Sequence, residues 1–77
     1  MIKIVLNSWR EGLEKVSLTK LQIDILGKSL KEAKINVDSL LEDKKVIIEI
    51  NNLDLANEFL REAEKIGVNC QLLVDQE

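Results

Sequence analysis

The sequence predicts an α+β domain with the element order strand, helix, helix, strand, helix, strand. Three short segments alternate apolar and polar residues with a period of two, and three longer ones repeat apolar residues every three or four positions. Glycines and capping residues stand where one period gives way to the other. With 77 residues, 45% apolar and 32% charged, three glycines and no proline, the chain is long enough for one domain, residues 1–77. A chain of this size hides only about 60% of its unfolded surface, so nearly every periodic apolar residue has to enter a single core.

Taken in order, Met1 to Leu6 sets Ile2, Ile4 and Leu6 against Met1, Lys3 and Val5, a half-buried strand. Asn7 to Glu14 reads as a loop. Ser17 is the expected N-cap of helix one, whose inward residues are Leu18, Leu21 and Ile25, with Gly27 supplying the left-handed residue that closes it. Ser29-Leu30-Lys31-Glu32 is a capping box that opens helix two, and Leu30, Ala33, Val37, Leu40 and Leu41 mark its inward face. Lys45 to Ile50 alternates again. Asn51 or Asn52 then caps helix three, with Leu55, Ala56, Phe59, Leu60 and Ala63 as its stripe and Gly67 at its end. Val68, Cys70, Leu72 and Val74 form the inward face of the last strand. One apolar face per element closes two layers, three helices on one face of a three-stranded sheet.

Composition removes most catalytic readings. With no histidine, one cysteine and one tryptophan, the chain lacks a His/Cys metal cluster, a disulfide and a histidine-based triad. Gly27-Lys28-Ser29 has no upstream glycine at phosphate-loop spacing. Glu58 and Glu62 share a helix face at i and i+4, but nothing in the pattern raises the pKa of one, which makes them a solvated face. Cys70 reads as a small core residue, and Trp9 as a hydrophobic plug more readily than a binding hot spot. The longest apolar run, Val46 to Ile48, is far short of the roughly 20 residues of a membrane span. The expectation is a cytoplasmic, non-enzymatic protein without cofactor or metal and without specific nucleic-acid binding.

The net charge of −3 is unevenly spread. Lys15, Lys20, Lys28, Lys31 and Lys34 face only Asp24 and Glu32 within residues 15–34, giving +3, whereas residues 35–77 carry −6 and residues 1–14 balance. This basic middle on an acidic chain points to an acidic partner.

The run Lys15-Val16-Ser17-Leu18-Thr19-Lys20, followed by Gly27-Lys28-Ser29 and then Leu30-Lys31-Glu32-Ala33-Lys34, resembles the C-terminal domain of the bacterial ribosomal stalk protein seven/twelve. The pentapeptide Leu30 to Lys34 is the one that opens the second helix of that family, and the order of elements is similar over most of the chain. The resemblance implies a binding module that contacts translational GTPases through the outer face of helices one and two. Lys15, Val16, Lys20 and Lys34 fall on family positions of that face, with Lys31 beside them. Ile23 stands where the family has an arginine, Thr19 where it has an aliphatic residue and Ile35 where it has an aspartate, and the glycine-leucine-glycine turn has become Gly27-Lys28-Ser29. The chain opens at the strand that begins the family's C-terminal unit, without the N-terminal dimerisation domain and hinge, so the expectation is a standalone, diverged relative.

Ile23 and Ile35 each lie about 140° from the core stripe of their helix. Two readings stand. Either they form an apolar centre ringed by lysines, serving a protein partner or a homo-oligomer, or the first loop, with Trp9 and Leu13, folds over them. The expected partner surface is therefore Lys15, Val16, Lys20, Ile23, Lys31, Lys34 and Ile35, facing a translational GTPase or another translation component. The alternative is a small homo-oligomerising or inhibitory protein that reuses the fold.

Overall fold

The computed structural model of the chain describes residues 2–74. The elements follow the expected order: β1 (Ile2–Trp9), α1 (Lys15–Asp24), α2 (Leu30–Leu41), β2 (Val46–Ile50), α3 (Leu53–Lys65) and β3 (Val68–Val74). The sheet is antiparallel with strand order β2-β1-β3, which makes the first strand central and leaves the other two as edges. Ile4 stands opposite Ile48 and Leu72, and Leu6 opposite Val46 and Cys70. Ile4, Leu6, Val46, Ile48 and Val68 join Leu18, Val37, Leu40, Ala56, Phe59 and Ala63 in one buried cluster, so every strand and every helix contributes to the same core. α2 and α3 lie against β1, α3 runs along β3, and α1 packs on the other two helices. Because side chains alternate along a strand, Lys3 and Val5 of β1 share the opposite face with Ile47, Glu49, Gln71 and Leu73.

The first strand is longer than its alternation suggests. Asn7 is an extra residue between Leu6 and Ser8, and this bulge lets pairing resume with Ser8 opposite Asn69 and Trp9 opposite Val68. The Asn69 amide donates to the Ser8 hydroxyl at 2.9 Å. Trp9 thus ends a strand, 38% exposed, and is not a loop plug. The residues after it are clamped to the α3–β3 turn: the Arg10 amide donates to the Gly67 carbonyl at 2.8 Å and the Glu14 amide to that of Ile66 at 3.1 Å. The Arg10 guanidinium bonds the Asn69 side chain and the Glu64 carbonyl, which also accepts from the Gly67 amide where α3 ends. Gly67 has φ +104°, and a Cβ there would sit 3.0 Å from the Leu13 Cα, so the close approach of loop and turn needs glycine.

Helix ends follow local chemistry, with two corrections. α1 starts at Lys15, and Glu14 rather than Ser17 holds the N-cap position, because the anchored Glu14 carbonyl already accepts from the Leu18 amide at 3.0 Å. The Ser17 hydroxyl instead donates to the Glu14 carboxylate at 3.4 Å. Ser29 caps α2 as expected, accepting from the Glu32 amide at 3.1 Å, and its hydroxyl meets the Glu32 carboxylate at 3.5 Å. Leu30, at the first position of that helix, is exposed instead of inward, and so is Leu55 in α3. Asn52 caps α3, accepting from the Leu55 amide at 3.1 Å.

α2 ends in a Schellman arrangement with aspartate in the glycine position. Asp43 has φ +64°, its amide donates to the Leu40 carbonyl at 3.0 Å, and the Lys44 amide donates to that of Ser39 at 3.0 Å. A left-handed conformation costs a side-chain-bearing residue roughly 1–2 kcal/mol, part of which glycine forfeits through its freer unfolded chain. Asp43→Gly is therefore expected to stabilise by about 0.5–1 kcal/mol, which for a chain of this size raises the thermal midpoint by several degrees. Calorimetry of the two proteins checks it, and an unchanged or lower midpoint would mean that Asp43 is held by more than backbone geometry.

Candidate functional site: the α1–α2 face

The lysine-bearing helices meet through one buried amide. Gln22 is fully buried, four residues after Leu18 on the inward stripe of α1, where the 3.6-residue period calls for an apolar side chain. Its Nε2 donates to the Leu18 carbonyl at 3.3 Å and, across the helix pair, to the Ala33 carbonyl at 3.1 Å. Its Oε1 accepts from Asn36 Nδ2 at 2.8 Å. Both donors and the acceptor of the amide are used, so the burial carries no orphaned polar atom.

With that contact fixed, the first turns of α1 lie beside the middle of α2. Lys15, Val16 and Thr19 line one wall of an open groove, and Lys34, Val37 and Asp38 the other, around a volume of about 220 Å³. Small-molecule sites usually enclose about 300–1,000 Å³, so the groove suits one or two side chains of a partner. Val16, at its rim, is 72% exposed, an unusual position for a branched apolar residue. The Thr19 hydroxyl donates back to the Lys15 carbonyl at 3.1 Å.

Of the expected surface, Lys15, Val16 and Lys34 are brought together here. Lys20 and Ile23 continue the stripe of Val16 along α1 at i+4 and i+7, and Lys31 and Ile35 share the stripe of Lys34 and Asp38 on α2. Ile35 is 53% exposed, and the loop carrying Trp9 and Leu13 is held at the α3–β3 turn, so that loop does not bury Ile35. Ile23 is half-buried. Lys28 pairs with Glu32 at 3.9 Å, whereas among the described residues Lys15, Lys20, Lys31 and Lys34 have no ion-pair partner.

Sequence reasoning missed Gln22, Val37 and Asp38 as parts of this face. A polar residue on an apolar stripe was the available signal for Gln22, and the i, i+4 spacing from Lys34 was the one for Asp38. Elsewhere, burial pushes the Cys70 thiol up to about 11, with the Glu64 carboxylate adding to it and Arg10 opposing, so the cysteine is a poor nucleophile near neutral pH. Among the described residues no cluster of three or more His, Cys, Asp or Glu side chains is placed to hold a metal ion. No helix there is long and apolar enough to cross a membrane. The chain matches no protein-family model and no curated protein.

The Gln22 contact makes a graded prediction. Gln22→Leu keeps the bulk but leaves Asn36 and the Ala33 carbonyl without their partner, a cost of about 1–3 kcal/mol in urea unfolding. Gln22→Glu is expected to cost more at neutral pH, because its carboxylate would face two carbonyl oxygens. Its pKa in the folded protein lies above the unfolded value, so the loss shrinks as pH falls and a protonated carboxyl again donates. Equal stability of all three proteins across pH would show that the amide does not hold the helices.

Proposed function

We propose that the chain is a non-enzymatic protein-binding module whose contact surface is the outer face of α1 and α2. The observation that carries this reading is an apolar rim among lysines: Val16 at 72% exposure beside Lys15 and Lys34, which, among the described residues, have no ion-pair partner. Interfaces commonly combine an apolar centre with a charged border, the border steering encounter and selecting partners of opposite sign. The partner is then an acidic protein surface offering an aliphatic or aromatic side chain to the groove. The likeness of Lys15 to Lys34 to the ribosomal stalk C-terminal domain supports a translational GTPase, or another translation component, as that partner. Thr19 and Ile23 replace family side chains on the same face, which would alter the fit within that class.

A second reading, self-association through the helices, draws on the exposure of Ile35. Amide NMR of labelled protein separates the two. Adding a purified translational GTPase is expected to shift or broaden Lys15, Val16, Thr19, Lys34 and Val37, with affinity falling several-fold between roughly 0.05 and 0.2 M salt. Lys34→Glu is expected to weaken the complex about fivefold without unfolding the protein, since Lys34 is exposed. No response to the factor, with shifts at Ile23 and Ile35 on concentrating the free protein, would replace this reading by the second.

A further inference from the structure

β2 is an edge strand whose outer backbone groups are unpaired within the sheet, and it lacks most devices that blunt such edges. It has no proline and no bulge, and its solvent face carries Ile47, 61% exposed, and Glu49, with Lys45 directly before the strand. Read as a template for itself, this short sequence is selective. In an antiparallel pair of two copies around a twofold axis, residues of the same face must stand opposite one another, which allows only a few registers. Centring on Ile48 sets Ile47 against Glu49 of the second copy, centring on Val46 sets Ile47 against Lys45, and centring on Glu49 opposes two carboxylates. Centring on Ile47 alone places Ile47 against Ile47, both Lys45–Glu49 pairs in opposition, and Val46 against Ile48 on the core side.

We infer that β2 pairs with β2 of a second copy in this register, joining two three-stranded sheets into one of six strands. On the solvent face the contact extends the row from Val5, which is opposite Ile47 within one chain and already buried, through Ile47 to the same two residues of the other copy. Glu49, which faces Lys3 across β1, then lies between two lysines. This surface is separate from the α1–α2 face and does not rest on the partner-binding reading. Five residue pairs bury less than the roughly 1,200 Å² of a standard interface, so the dimer is weak and is to be sought up to about 1 mM protein.

Charge reversal tests the register. Sedimentation equilibrium of the whole chain is expected to show reversible dimers. K45E and E49K each oppose like charges at both ends of the strand pair, and each alone is expected to weaken dimerisation about tenfold or more. Mixed in equal amounts, they restore both opposite-charge pairs across the contact and are expected to associate far better than either alone. Ile47→Lys removes the central contact at an exposed position and should abolish dimers while leaving the far-UV circular dichroism unchanged. A monomer throughout the concentration range, dimers indifferent to these substitutions, or a mixture that associates no better than its components would each overturn the inference.

Discussion

Gln22 lies where α1 crosses α2, out of reach of water, and its amide is matched at all three positions: two carbonyl oxygens, of Leu18 and Ala33, and the Asn36 amide. An apolar side chain in that place tolerates sliding and rotation of one helix over the other. A buried amide does not, since moving either helix strands polar atoms at a cost comparable to a large fraction of a small domain's stability. The contact therefore sets which residues face each other one to two turns away, where Lys15, Val16 and Thr19 meet Lys34, Val37 and Asp38. The groove is a consequence of the register, which brings Lys15 and Lys34, neither with an ion-pair partner among the described residues, together with one carboxylate, Asp38.

A second constraint fixes the start of α1. Between Trp9 and Lys15 the chain is tied to the α3–β3 turn by backbone bonds and by Arg10, and it approaches Gly67 so closely that a Cβ there would press on the Leu13 backbone. Glu14 is held by this clamp, and the helix begins from it. Loop, turn and helix start thus act as one unit, and the exposed face is positioned at one end by the clamp and at the other by the buried amide. The sheet contributes mainly through the core, where Ile4, Leu6 and Phe59 connect strand and helix faces.

Much of the fold was legible because most residues obey a simple period. Ile4 and Leu6, Val46 and Ile48, and Ala56, Phe59 and Ala63 are all buried where alternation or the helical repeat puts them. Gly27 and Gly67 have positive φ at the two helix ends where they were expected. What escaped depends on contacts distant in sequence: the bulge at Asn7 that carries β1 on to Trp9, the clamp that displaces Ser17 as the cap, and the left-handed Asp43, a residue type that gives little warning of that conformation. Of the candidate face, Lys15 and Lys34 were visible as part of the basic middle, and Val16 only through the resemblance to the stalk domain. That they share a groove was not visible, because the helix register is written in Gln22, whose type alone does not tell a solvated amide from a buried one.

The most direct test is on the unaltered protein, by NMR of the Gln22 side-chain amide. Resolved Nε2 protons are expected, exchanging slowly with water and showing nuclear Overhauser contacts to Ala33 and Asn36 on the other helix. Rapid exchange at the rate of a free glutamine, with contacts confined to α1, would contradict the buried contact and leave the α1–α2 register to apolar packing alone.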